Sequence, residues 1–173
     1  MPYRSPYEAY PFLSDPENDL RCDYEILTDT IASQIGLLRS LCPEFKQQLT
    51  DLCTFVYHSN ASVRTKNSIN ENDIQATLKA AGDLQKQTEH LYNRFVLPVG
   101  SQRACLAHCL RTQTKAAVRM LYRLSQRGNE VDTILIDFFS LLSNYFFHLA
   151  LLLNHLDNVQ EVPFKSRNYR EDM

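Results

Sequence analysis

The chain lacks tryptophan, contains only four glycines and carries no excess of basic residues. Its 18 Lys and Arg against 20 Asp and Glu leave a formal net charge of -2, which argues against a general nucleic-acid binder. A Gly-rich phosphate loop is absent, and neither Gly-x-Ser-x-Gly nor His-Glu-x-x-His occurs. These absences exclude the familiar signatures of P-loop nucleotide binding, α/β-hydrolases and zinc peptidases.

Five cysteines cannot all pair within one chain, and the opening residues contain no apolar signal-peptide core. We therefore expect free thiols and a reducing compartment, either the cytoplasm or an organelle matrix. Cys105, His108 and Cys109 are spaced like metal ligands on one helix. A fourth ligand is missing nearby, and small thiols are favoured in cores, so we predict no metal site.

Apolar residues recur every three or four positions along most of the chain, which predicts helices and no strand. Four prolines predict an extended arm over residues 1–19, followed by a helical domain over 20–160 and a tail over 161–173. The predicted helices cover 23–41, 43–59, 73–94, 101–126 (with Ser101 as the cap) and 131–156. Their short connections favour an all-α, five-helix up-down bundle.

The last predicted helix contains the most apolar stretch of the chain, residues 138–156. Ser140, Ser143, Asn144 and His148 interrupt it, and the remaining runs are too short to span a bilayer. A helix that is apolar on nearly all sides is also typical of the centre of a bundle. We therefore predict a buried core helix and no membrane span.

The fourth helix carries cations opposite its core stripe. The stripe consists of Leu106, Leu110, Ala117, Leu121 and Leu124. Arg111, Lys115 and Arg119 share the other side with His108, and no carboxylate lies between them. Two interpretations remain open: a solvated face, which is the default for charged side chains, or a site for phosphate or carboxylate oxygens.

A polar seam follows one edge of the fifth helix. It consists of Asp137, Ser140, Asn144, His148 and His155. Buried polar groups need hydrogen-bond partners. The seam is therefore either bonded to another helix or subunit, or one wall of a site.

The segment "FVLPVGSQRACLAHCLRTQTKAAVR" resembles the signature of the propanediol-utilisation type of ATP:cob(I)alamin adenosyltransferases. That signature is Phe-x-Leu-Pro-Gly-Gly-Ser, then a His, then Ala-Arg-Thr-x-x-Arg-Arg-Ala-Glu-Arg. The matching positions are Phe95, Leu97, Pro98, Gly100, Ser101, His108, Arg111, Thr112, Ala117 and Arg119. The last helix resembles the family at Leu142, Ser143, Phe146, Leu149 and Ala150, and the first helix at Arg21, Asp29, Ile35 and Gly36.

The resemblance implies a five-helix bundle that forms homotrimers with sites between subunits. It also implies cobalamin and ATP with Mg²⁺ as ligands. The candidate phosphate-binding residues are then Arg111, Lys115, Arg119, Asp29 and Arg21. No residue is assigned a catalytic role.

Several positions depart from the family pattern. The Thr-Gly-Asp-x-Gly loop that holds the ATP triphosphate has no counterpart in "MPYRSPYEAYPFLSD". The paired arginines are Lys115 and Ala116, and the glutamate of the same motif is Val118. We therefore predict a divergent member that binds a corrinoid or nucleotide between subunits without efficient turnover. An active adenosyltransferase with a rearranged ATP site and a purely structural helical subunit are the alternatives.

Overall fold

In the computed structural model, which describes residues 3–92 and 95–168, the chain folds into five α-helices that run up and down in one bundle. They are α1 (Arg21–Leu41), α2 (Lys46–Asn60), α3 (Glu71–Thr88), α4 (Gln102–Gln126) and α5 (Thr133–Leu156). Short 3-10 turns at Pro43–Phe45 and Ala61–Val63 flank α2. Within the described residues, extended pairing is limited to one bridge between Val96 and Pro163. The predicted all-α bundle is confirmed.

The most apolar helix, α5, forms the centre of the bundle. It packs against α4 and α3, while α1 packs against α4 and α2. Phe139 of α5 meets Tyr24 of α1 edge-to-face, with 6.2 Å between the ring centroids. By length and composition α5 could cross a membrane, but 61% of its most apolar stretch is buried inside the bundle. That burial is typical of a core helix.

Side-chain caps begin three of the helices. The Ser101 hydroxyl accepts a bond from the Ala104 N–H at 3.3 Å, which confirms the predicted cap of α4. Asn70 and Asp73 form a reciprocal capping box at the start of α3. Asp132 accepts from the backbone N–H two residues ahead at the start of α5. Local side-chain chemistry therefore determines these helix starts.

The end of α3 was predicted wrongly. The apolar spacing predicted a helix to residue 94, but α3 ends at Thr88; residues 93 and 94 lie outside the described part of the chain. Beyond the helix, the Tyr92 ring packs edge-to-face on Phe147 of α5, with 5.4 Å between centroids. The chain then approaches the C-terminal tail, where Val96 pairs with Pro163. These tertiary contacts require a non-helical path, and the sequence period does not encode them.

Several residues of the predicted apolar spacing are not fully buried, and Leu78 and Leu106 are two of them. Leu78 of α3 is 47% exposed, and Leu106 of α4 is half-buried at the edge of the core. The exposure of Leu78 follows from the position of α3, whose main contact is with α5. A helix at the edge of a bundle buries one face, so apolar residues away from that face stay in solvent.

Residues 5–19 form consecutive turns, whereas their prolines led us to expect an extended course. A backbone bond from Leu13 to the Tyr10 carbonyl, 3.3 Å long, closes one turn. Pro11 occupies its second position, for which the fixed φ of proline is well suited. A further turn is closed by a 2.7 Å bond from Asp19 to the Pro16 carbonyl. The prolines thus initiate turns rather than extending the chain.

Arg64 fastens this N-terminal segment to the bundle. Its guanidinium bonds Asp15 at 2.6 Å and the buried Glu25 of α1 at 2.8 Å. The same group lies over the Phe12 ring, 3.7 Å from the centroid. Arg64 comes from the connection between α2 and α3, so its contact with residues near 15 is a product of tertiary structure alone.

Candidate functional site

A cavity of about 590 Å³ opens between α4 and α5, next to the segments that precede α4 and follow α5. Its aromatic and apolar walls are formed by Tyr92, Phe95, Val96, Phe147 and Phe164. Its polar side is formed by His108, Arg111, Lys115, Ser143 and Asn144. A volume of this size, with apolar walls and a few convergent polar groups, is typical of a small-molecule site.

The C-terminal tail completes the mouth of the cavity. The Phe164 N–H donates to the Phe95 carbonyl at 2.7 Å, and the Leu97 N–H donates to the Val162 carbonyl at 2.8 Å. These bonds join the backbones of Phe95 and Phe164, two exposed residues that both line the cavity. Phe95 belongs to the sequence motif. Sequence reasoning missed Phe164 and Tyr92, because no local signal connects either residue to the fourth helix.

Asn154 of α5 holds the start of α4. Its amide nitrogen donates to the Val99 carbonyl at 3.0 Å and to Glu161 Oε1 at 2.9 Å, and its oxygen accepts from the Ser101 N–H at 2.9 Å. Gly100 has a φ of 143°, and a Cβ there would lie 1.9 Å from Asn154 Oδ1. Burial raises the pKa of the Glu161 carboxyl. We call these hydrogen bonds of Asn154 with Val99, Ser101 and Glu161 the Asn154 clamp. The clamp links the tail, the start of α4 and the mouth of the cavity.

Arg111 and Lys115 direct cationic groups toward the cavity. Arg111 is half-buried, and its Nε atom is buried without a hydrogen-bond partner. Among the described residues, no carboxylate forms an ion pair with Arg111, Lys115 or Arg119. Arg103, on the same helix, is by contrast paired with Asp157 at 2.7 Å. Unpaired cations beside an aromatic wall are suited to bind an oxyanion.

His108 is not on the solvated side of α4, as its helical position had indicated, but is only 4% exposed and lines the cavity. Among the residues that the structure describes, neither ring nitrogen has a hydrogen-bond partner. Burial, together with the nearby positive charge of Arg111, lowers the pKa of His108 to about 4. The ring is therefore neutral near pH 7, with one N–H donor and one acceptor nitrogen both unused.

The structure separates the remaining phosphate-binding candidates from Arg111. Arg119 is exposed two helical turns further along α4 and does not line the cavity. Arg21 bonds Asp19 at 2.6 Å, and it lies near residues 129–132, at the far end of the bundle. Asp29 accepts a 2.8 Å bond from the Tyr57 hydroxyl. Within one chain, the cavity brings together Arg111 and Lys115 but none of the other three.

The predicted polar seam of α5 divides into separate environments. Its exposed members are Asp137, Ser140, Asn144 and His155. Asn144 lines the cavity, and the neighbouring Ser143 hydroxyl donates to the Arg111 carbonyl at 3.3 Å. His148 is buried, with Nδ1 2.8 Å from the Thr88 hydroxyl of α3. The structure thus assigns one seam residue to a cavity wall and another to a contact between helices.

The five cysteines are free thiols. Cys105 is half-buried, with its sulfur 3.6 Å from the Gly100 carbonyl, and Cys109 is exposed. In the described ranges, no three His, Cys, Asp or Glu side chains are grouped so that they could hold a metal ion.

The family model for cobalamin adenosyltransferases matches residues 15–153 of the chain, a range that begins before α1 and ends within α5. This chain belongs to the cobalamin adenosyltransferase family. It is similar to the corrinoid adenosyltransferase of Bacillus subtilis strain 168, with 30% identity over 95 residues. That region is 55% of this chain and 45% of the Bacillus protein, so the match spans less than half of the relative.

Solved structures of the family share this fold. One is a variant of the PduO-type ATP:corrinoid adenosyltransferase from Lactobacillus reuteri complexed with cobalamin and ATP. Its TM-score is 0.77 at 21% identity, over 90% of this chain and 88% of that chain. A second variant of the same enzyme, complexed with ATP, has a TM-score of 0.75 at 23% identity, over 86% and 88%. The resemblance found in the sequence is confirmed, and at these identities the structures establish the shared fold.

Proposed function

We propose that this member of the cobalamin adenosyltransferase family binds a corrinoid, a nucleotide or both at the cavity between α4 and α5, without efficient adenosyl transfer. The observation that carries the proposal is an aromatic-walled cavity with two cations, Arg111 and Lys115, that form no ion pair with a carboxylate of the described ranges. Aromatic walls suit a large apolar ring system, and the cations suit phosphate oxygens.

The residues at the polar side fit such ligands. The buried Nε of Arg111 lacks an acceptor, and a buried donor left unsatisfied costs about 1–3 kcal/mol. A phosphate or carboxylate oxygen placed beside Arg111 and Lys115 would supply that acceptor with a charge-assisted bond. The relative from Lactobacillus reuteri that is complexed with cobalamin and ATP has the same fold, which supports these two ligand classes.

Weak turnover is supported by the composition of the N-terminal segment. Adenosyl transfer requires that the triphosphate leaving group be held while the reduced cobalt attacks the 5′ carbon. The N-terminal segment has no glycine to form a loop of backbone donors, and its Arg4 is paired with Glu8 at 2.8 Å. Loss of one preorganised donor costs about 3 kcal/mol of transition-state stabilisation. The loss of several donors predicts a severe reduction in rate.

An active adenosyltransferase is the second candidate function. It is favoured by the absence of any carboxylate that would neutralise Arg111 and Lys115 within the described chain. In that case a neighbouring subunit of a homotrimer has to supply the missing phosphate contacts. Arg21, which lies away from the cavity in its own chain, is a cation that a second subunit could bring to the phosphates, and Asp29 of that subunit could hold the Mg²⁺ of the nucleotide.

Measurements of adenosyl transfer and of ligand binding distinguish the proposed binding function from an active adenosyltransferase. The protein is mixed with ATP and chemically reduced cobalamin while the cobalt absorbance is followed, with the Bacillus subtilis adenosyltransferase in a parallel reaction. Calorimetric titrations with hydroxocobalamin and with ATP measure binding separately. We expect saturable binding of at least one ligand and a rate at least about 100-fold below that of the Bacillus enzyme. Comparable rates would establish the active candidate, and absence of both binding and turnover would support a structural subunit.

Arg111→Ala is the variant that tests the site. We expect it to weaken ATP binding at least about tenfold, because a hydrogen bond to a charged group contributes about 1.5–3 kcal/mol. Lys79→Ala is the matched control, since Lys79 is an exposed cation on α3 that pairs with Asp83. Equal ATP affinity in the wild type and Arg111→Ala would remove Arg111 from the site.

A further inference from the structure

His108 is the cavity residue whose chemistry is least explained by the folded chain itself. Its side chain is only 4% exposed, yet neither ring nitrogen forms a hydrogen bond with any part of the chain that the structure describes. The other buried histidine, His148, is bonded to Thr88 at 2.8 Å. Buried polar side chains in folded proteins are normally paired, so an unpaired imidazole that faces a cavity indicates a partner outside the chain.

The position of His108 defines the chemistry of that partner. Arg111, one turn further along α4, and Lys115 already provide the positive charge for an anionic group. His108 lies one turn before Arg111 and two turns before Lys115, and it lines the same cavity as the aromatic residues Tyr92 and Phe147. A charge placed among aromatic rings would lose its hydration, whereas a neutral group would lose far less. A neutral imidazole satisfies both nitrogens only when its surroundings offer an acceptor to its N–H and a donor to its bare nitrogen, and a ligand that carries carboxamides offers both.

We propose that His108 is a specificity-determining residue of the cavity, selecting ligands whose apolar body carries an uncharged group that both donates and accepts hydrogen bonds, such as a carboxamide. The inference rests on the proposed binding function and names the ligand chemistry for the same site. A site built around buried polar groups rejects an otherwise similar ligand that cannot pair with them.

Two corrinoids with the same ring test the inference. Dicyanocobinamide carries carboxamides around the ring, and dicyanocobyrinic acid heptamethyl ester carries methyl esters that cannot donate. We expect the wild type to bind the amide form at least about tenfold more tightly. His108→Leu should lose this preference, and His108→Gln should keep it within a few-fold, since glutamine also offers a donor and an acceptor.

The thermal midpoint of the ligand-free protein gives an independent measure. If His108 is retained for a ligand, His108→Leu should unfold at an equal or higher temperature, because it removes unpaired polar atoms from a buried position. A lower midpoint for His108→Leu would show a structural role and overturn the inference. Retention of the amide preference in His108→Leu would overturn it as well.

The outcomes separate this inference from the proposed function. A wild type that binds both corrinoids equally overturns the specificity role and leaves corrinoid binding intact. A wild type that binds neither corrinoid nor ATP overturns the proposed function. In that case the role of His108 is tested with two small ligands. Benzamide and methyl benzoate are titrated into the protein while the ¹⁵N resonances of the His108 ring are followed. Selective shifts with benzamide support the role of His108, and equal or absent responses overturn it.

Discussion

His108 of the cavity differs from other buried polar side chains of the bundle in its hydrogen bonding. Glu25 is 3% exposed but receives two bonds from Arg64, and the buried Thr114 hydroxyl donates to a carbonyl of its own helix. Asn154 uses both its amide nitrogen and its oxygen. His108, by contrast, has no partner for either nitrogen. At the residue scale, His108 is thus the described side chain with two buried atoms that lack a partner, whereas single such atoms also occur outside the cavity lining, at Gln34, Gln113 and Glu161.

The buried imidazole predicts a pH dependence of stability. The folded pKa of His108, about 4, lies below the usual value of 6.5, so the unfolded chain binds the proton more tightly. The free energy of unfolding should therefore fall as the pH is lowered from about 6.5 toward 4, by up to about 1.4 kcal/mol per pH unit for one proton. His148 contributes in the same direction, since burial lowers its pKa too.

Urea denaturation across this pH range isolates the contribution of His108. In His108→Leu the unfolding free energy should decrease less steeply below pH 6.5, and above pH 7 the two curves should run parallel. Identical slopes for both proteins at low pH would contradict a depressed pKa at this residue.

At the scale of elements, the start of α4 depends on a segment that is distant in sequence. The cap at Ser101 is local, but its N–H is held by Asn154 from the last turns of α5. Asn154 in turn bonds Glu161 of the tail. The helix that carries Arg111 is therefore positioned by α5 and the tail together, and any change at this junction should propagate to the cavity mouth.

Gly100→Ala should destabilise the protein by about 1–3 kcal/mol. The φ of 143° is a region that is essentially restricted to glycine, and an added Cβ would meet Asn154 Oδ1 at 1.9 Å. Gly36→Ala is the matched control, because Gly36 lies within α1 with nothing within 4 Å of an added Cβ. That change should stabilise by about 0.5–1 kcal/mol. Urea denaturation measures the unfolding free energy of both variants. A Gly100→Ala protein as stable as the wild type would contradict the close contact between Gly100 and Asn154 in the clamp.

At the scale of the whole molecule, α1 has an exposed outer face. Its exposed members follow a helical stripe: Ile26, Thr30, Ser33 and Leu37. Ile26 and Leu37 are 49% and 55% exposed, so the stripe presents two large apolar side chains to solvent. Together with the family resemblance, this stripe supports the expectation of a homotrimer.

Light scattering should give a mass three times that of the single chain. The double variant Ile26→Glu with Leu37→Glu should lower the mass toward that of one chain, because two carboxylates would have to be buried in the contact. Leu78→Glu is the control, since Leu78 is 47% exposed on α3, away from this stripe. A monomeric wild type would contradict the expectation, and a trimer that survives the double variant would place the interface on another face.

Sequence reasoning reached the bundle because its signals are local. The apolar period of α5 and the Ser101 cap act over a few residues, and both were confirmed. The family motif also indicated Arg111 and Lys115, which the structure places at one cavity. The burial of His108 was missed, because its helical angle alone grouped it with exposed cations. Its environment depends on α5 and on the segment around Tyr92, which no helical period reveals.

By itself, the sequence determined the all-α class, the central place of α5, the family and the cations of α4. It could do so because the spacing of residues and the motifs indicate which side chains share a helix face. The tertiary structure alone decided where α3 ends, which of the candidate cations share a cavity, and that His108 lies unpaired within it. Those features depend on contacts between residues far apart in the chain, such as Asn154 with Ser101, Phe164 with Phe95, and Arg64 with Asp15. Such contacts form only when the helices pack, so the period of any one helix carries no record of them.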